Sequence, residues 1–214
     1  MSIDNSFVYY FFIFSLLFLE YRGYGLSSGT PGEKGLYIDA RAAVDYLFTR
    51  HDLDHSQIVL FGRSLGGAVV SADDVINLHP DLMNSFQVID VAADSNYGSK
   101  VMCSVVENTF TSIPHMARHL ISYVKYVPLI CHKNRVRLSV LTKNFHLLTS
   151  PPTQFTSIDK VQKISTPILF ISGLNDSLVP SSMMSLLHSQ CKSSRKQLFQ
   201  LSGGGHMDTW NANG

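Results

Sequence analysis

The chain has 214 residues, and 17 Lys and Arg stand against 16 Asp and Glu for a formal net charge of +1. That balance, with no basic run interleaved with aromatics, removes the electrostatic case for nucleic-acid binding. At 45% hydrophobic and 15% charged the chain is globular and long enough for one domain with a sizeable core, and its three cysteines (Cys103, Cys131, Cys191) lack the CxxC spacing of a zinc site or disulfide framework.

In chain order, Phe7 to Leu19 is an uncharged, almost wholly apolar run of 13 residues. A membrane-spanning helix needs about 20, and the preceding tail has no Lys or Arg to act as the basic region of a signal peptide. The expectation is therefore a buried strand at Leu16-Leu17-Phe18-Leu19 feeding Tyr21-Arg22-Gly23-Tyr24-Gly25. From Gly32 to Thr49 the chain reads as an amphipathic helix, with Leu36, Ala40, Ala43, Val44 and Leu47 on one stripe. Asp52 to Ser56 is a polar turn into the apolar strand Ile58-Val59-Leu60-Phe61.

That strand runs into Gly62-Arg63-Ser64-Leu65-Gly66-Gly67, then the small, apolar Ala68-Val69-Val70. Gly62 and Gly66 flank Ser64 at the spacing of a nucleophile elbow. There a serine sits at strained backbone angles between strand and helix, and flanking side chains would collide with their neighbours. Strand, helix, strand, elbow and helix form a βαβ unit and predict a parallel sheet. Val101 to Glu107 is the next strand, opened by Cys103, and Ser112 to Tyr123 the next helix. His115 and His119 sit four residues apart on that helix, a metal-ligand spacing, but no third ligand accompanies them.

A serine nucleophile needs a base and an acid to orient it, in this fold in the chain order Ser, Asp, His. The apolar strand Ile168 to Gly173 leads into a loop carrying Asp176, and the strand Gln197 to Leu201 leads through Ser202-Gly203-Gly204-Gly205 to His206. The three glycines predict a flexible loop carrying the imidazole over the sheet edge. Glu107, directly after its own strand, is the reserve acid. Arg22 and Arg63 flank the same edge, either to contact a substrate anion or to hold loops together. Asp208 and Trp210 are read as positioning the His206 loop.

Several blocks together resemble the alpha/beta-hydrolase superfamily, and within it the group of alpha/beta-hydrolase domain-containing protein thirteen and its Bem-like serine hydrolase relatives. They are Glu20 to Ser27, Leu60 to Val69, Val106 to Pro114, Leu169 to Asp176 and Gly205 to Trp210, and the resemblance spans roughly three quarters of the chain. It implies an α/β fold, a mainly parallel sheet flanked by helices. It also implies a serine hydrolase of esters or thioesters, with Ser64 as nucleophile, His206 as base, Asp176 as its partner and the Leu65 amide as an oxyanion donor. No nucleotide, metal or prosthetic group is implied. The family pattern adds a membrane anchor ahead of the domain and, for some relatives, protein depalmitoylation. The expected partner is thus a small-molecule or acylated-protein substrate, the expected location membrane-associated or otherwise intracellular.

Two stretches depart from the pattern, about Asp73 to Ala92 and about Val136 to Thr156, the latter where hydrolases carry a lid. Residues 1–214 are thus expected to form a single partial hydrolase domain with atypical insertions near 73–92 and 136–156. In the resembled fold three strands and a helix precede the Tyr21 segment, and the loop after the third strand gives the second oxyanion amide. The expectation is a sheet lacking those strands and the closing helix, with Leu65 as its one donor. The competing expectations are a catalytically crippled, non-enzymatic fragment and a membrane-tethered interaction domain.

Overall fold

The computed structural model of the chain describes residues 15–64, 85–112, 115, 116, 119 and 156–211. Four strands form one all-parallel sheet in the order β1-β2-β3-β4. They are β1 (Val59–Arg63), β2 (Cys103–Glu107), β3 (Ile168–Gly173) and β4 (Lys196–Leu201). The helices are α1 (Glu33–Thr49), α2 (Ser85–Ala93), α3 (Ser157–Val161) and α4 (Ser181–Gln190). Each helix touches the next, while α2 lies on β1 and β2 and α4 on β3 and β4, so the helices line one face of the sheet. No helix among the described residues is long and apolar enough to cross a membrane.

The core forms between sheet and helices. Register aligns Gly62, Val106, Phe170 and Leu198 in one row across the four strands, and Val106 and Phe170 are fully buried. Burying a side chain such as Phe170 contributes about 1.5–3 kcal/mol. From α1, Leu36, Tyr37, Ala40 and Val44 enter the same core, the spacing of one helical face. Outside it, Arg41 of α1 pairs with Asp90 (2.6 Å) and Asp94 (3.2 Å). Lys160 of α3 reaches Asp90 at 2.7 Å, and its ammonium lies 3.6 Å from the Tyr37 ring centroid. The three helices are thereby cross-linked by charge as well as packed.

Two expectations change. Residues 15–20 form no strand, and Leu16, Leu17 and Phe18 are 66%, 47% and 54% exposed. A strand exists only with a hydrogen-bonded neighbour, and among the described residues β1 has β2 as its one strand partner. Apolar character alone did not supply a second. Of the 73–92 stretch, residues 85–92 belong to α2, where Val88, Ile89 and Val91 are fully buried in the core, while residues 73–84 lie outside the described residues. Also outside them are residues 1–14, Leu65 to Val70, Cys131, residues 136–155 and most of the Ser112 to Tyr123 helix, of which residues 115, 116 and 119 are helical.

Candidate active site

Parallel pairing brings all four strands to a common carboxyl end, the edge where open α/β sheets hold their ligands. Ser64 immediately follows β1, and its amide donates to the Glu107 carbonyl at 2.9 Å, one step beyond the ladder. Its φ is +46°, in the left-handed region that a residue with a Cβ occupies only at a cost. The turn lifts Oγ off the sheet edge toward the loops after β3 and β4.

There, His206 and Asp176 complete a chain of contacts. Ser64 Oγ lies 2.8 Å from His206 Nε2, and His206 Nδ1 lies 2.7 Å from Asp176 Oδ2. With the carboxylate accepting from Nδ1–H, Nε2 is left as the acceptor for the serine hydroxyl. Asp176 Oδ1 in turn accepts the backbone amides of Leu178 and Val179, both at 2.8 Å. The Asp176 side chain is 1% exposed and that of His206 14%, so the pair is sealed from bulk water on the acid side and open on the other.

Glu107, the reserve acid, lies elsewhere. It is 2% exposed and accepts from Arg63 Nε at 3.0 Å, while the imidazole faces Asp176. The same pair settles Arg63, which is 8% exposed and engaged by the protein rather than presented to solvent. Its Nη1 donates to the Met207 carbonyl at 3.4 Å, and its guanidinium carbon lies 4.5 Å from the Trp210 ring centroid. Arg22 is held by Asp39 of α1, with Nε–Oδ1 at 2.9 Å. That hydrogen bond holds the Asp39 carboxyl below its ordinary range.

The His206 loop packs closely on the end of the sheet. A Cβ on Gly173, at the end of β3, would stand 2.4 Å from the Gly204 carbonyl, so the loop presses directly on the strand. Asp208 Oδ1 accepts the Gly205 amide at 3.0 Å. Asn108, to which sequence reasoning gave no role, reaches the same loop from the end of β2. The one signal available was a polar residue directly after an apolar strand, the position shared by Ser64.

His115 Nδ1 sits 2.6 Å from Thr111 Oγ1, and among the described residues no group of His, Cys, Asp or Glu is arranged to hold a metal ion. Cys103 and Cys191 are free thiols whose pKa burial pushes up, which leaves them poor nucleophiles.

Residues 100–207, just over half of the chain, match the family model described as serine hydrolase (FSH1). The chain belongs to this serine hydrolase family of the alpha/beta-hydrolase superfamily. This hydrolase-family chain is 37% identical over 202 residues to the alpha/beta hydrolase domain-containing protein WAV2 of Arabidopsis thaliana, covering 94% of this chain and 56% of that protein. It is 32% identical over 195 residues to the uncharacterized membrane protein YNL320W of Saccharomyces cerevisiae, with 91% and 55% covered. It spans about half the length of the curated relatives it matches. In fold it is similar to the Pyrococcus furiosus esterase Pf2001, with a TM-score of 0.60 and 18% identity over 88% of this chain and 60% of that one.

Proposed function

We propose that this chain hydrolyses a carboxylic ester or thioester through an acyl-enzyme on Ser64. The observation that carries the reading is the unbroken Ser64–His206–Asp176 chain, starting from a serine held at φ +46°. Ser64 Oγ attacks the carbonyl carbon as His206 Nε2 takes its proton, and Asp176 holds the imidazole tautomer and stabilises the resulting cation. Collapse of the tetrahedral intermediate breaks the bond to the leaving alcohol or thiol, which takes that proton from Nε2. Water, deprotonated by the same nitrogen, then releases the acid and restores Ser64. The Leu65 amide is the oxyanion donor in this reading, and it lies outside the described residues.

For the acyl group we favour a long apolar chain, as in a palmitoylated protein. Leu174, Leu178, Met207 and Trp210, each within four residues of Asp176 or His206, are 36–65% exposed and offer apolar surface to such a chain. Membrane association is part of the same reading, supported by the name of the yeast relative, an uncharacterized membrane protein. A fluorophosphonate probe with hydrolysis of short- and long-chain p-nitrophenyl esters and a palmitoyl thioester tests it. Labelling and turnover should vanish in Ser64→Ala, and the longer acyl groups should be cleaved faster. Equal labelling of the variant would move the nucleophile elsewhere, and a short-chain preference would remove the lipid substrate.

A further inference from the structure

We infer that Asn108 is a positioning residue for His206, the clasp that holds the imidazole in line between Ser64 and Asp176. The inference rests on the acyl-enzyme reading above for its catalytic consequence, though its geometric part does not.

Asn108 follows β2 directly and is 1% exposed. Its φ of +45° puts it in the left-handed region, which Asn tolerates better than other residues with a Cβ. Its amide still extends the ladder, donating to the Ile171 carbonyl at 3.0 Å, but the turn swings the carboxamide over the end of β3. From there Oδ1 accepts the Gly173 amide at 2.9 Å. Nδ2 faces three acceptors on the His206 loop: the Gly205 carbonyl at 3.2 Å, the His206 carbonyl at 3.0 Å and Thr209 Oγ1 at 2.6 Å.

One buried side chain thus joins the strand end before the Asp176 loop to the backbone of the base itself. The demand is specific: a single group must offer two N–H donors on one side and an acceptor on the other. Aspartate has the same shape but places a carboxylate against two carbonyls. Leucine has the bulk and none of the bonds. Arg63 grips the same loop independently, at Met207 and Trp210, so loss of Asn108 frees the imidazole without releasing the whole loop.

Displacement of a catalytic group by about 1 Å costs on the order of 100-fold in rate. The test uses Asn108→Gly, in which the left-handed backbone remains accessible, and the isosteric Asn108→Asp in the full chain. Three quantities are read: the melting temperature, the fluorophosphonate labelling rate, and the downfield proton resonance of His206 Nδ1–H against Asp176.

The expected result is a folded Asn108→Gly protein in which that resonance is lost or exchange-broadened. Labelling should slow about 10- to 100-fold, and turnover of a p-nitrophenyl ester should fall in kcat with little change in KM. Asn108→Asp should slow at least as much. A folded variant with the resonance intact and the wild-type labelling rate overturns the inference. So does a variant that only melts earlier, with the signal and rate unchanged in its folded fraction. Ser64→Ala separates the two readings. If it still labels, the acyl-enzyme reading fails, while the resonance continues to report on the Asn108 clasp.

Discussion

Asp176 divides its carboxylate between two tasks: Oδ2 meets His206 Nδ1 at 2.7 Å, while Oδ1 caps the turn at Leu178 and Val179. The carboxylate is therefore held by its own loop as well as by the imidazole. That is the pre-organisation which lets a buried carboxylate act on an imidazole without moving.

Asp176→Asn separates the two tasks. The amide can keep an oxygen on the Leu178 and Val179 amides, but it then presents an NH2 to His206 and favours the tautomer with the proton on Nε2. Ser64 loses its acceptor. Ester turnover should fall by up to about 10,000-fold with a nearly unchanged melting temperature, measured by p-nitrophenyl ester hydrolysis and thermal denaturation. A loss of less than about tenfold would assign the orienting acid to another residue.

Glu107→Gln should show the opposite balance. Arg63 and Glu107 form a buried pair at 3.0 Å with side chains 7% and 3% exposed, so removing one charge strands the other. Breaking such a pair costs about 3–5 kcal/mol, to be read by urea denaturation. The His206–Asp176 contact is untouched, and the folded fraction should retain a far larger share of the labelling rate than Asp176→Asn does. A stable but inactive Glu107→Gln protein would return Glu107 to the triad.

The contrast between these residues shows what the sequence could carry. The gathering of Ser64, Asp176 and His206 at one edge was legible because the first two follow the apolar strands β1 and β3 and the third follows the alternating β4, and because parallel strands gather their carboxyl ends. The α1 stripe was legible from its period. The segment at Leu16 to Leu19 was not, since a strand's existence depends on a partner edge that lies outside its own residues. Nor was α2, whose burial is decided by β1, β2 and α1 around it. Asn108 stayed silent for the same reason: its partners on the His206 loop lie 97–101 residues away, and nothing local distinguishes it from any polar cap.

Backbone strain at Ser64 is separable from its chemistry. At φ +46° a Cβ costs roughly 1–2 kcal/mol that glycine avoids. Ser64→Ala and Ser64→Gly should both be inactive, yet Ser64→Gly should be the more stable, by about 1–2 kcal/mol. Urea denaturation of the two variants side by side measures the difference. Equal stability would mean that the elbow relaxes when the hydroxyl is lost, with no strain stored in the resting protein.

His188 makes stability depend on pH at a distance from the site. It lies on α4, with its ring edge-on to Phe170 at 5.6 Å and an interplanar angle of 82°. Desolvation by this packing, and then the positive charge of Lys196, lower its pKa below the ordinary 6.5. The unfolded chain therefore takes up a proton at a higher pH than the folded one. The stabilisation is complete above about 6.5, and it diminishes as pH falls through that value toward the lower folded pKa. Thermal melts between pH 8 and pH 5 should show a decline that is shallower in His188→Gln than in the wild type. The comparison with the variant isolates His188 from the other histidines, His206 included. Parallel curves for the two proteins would mean that the α4 ring titrates alike in both states and that its packing on Phe170 imposes no desolvation.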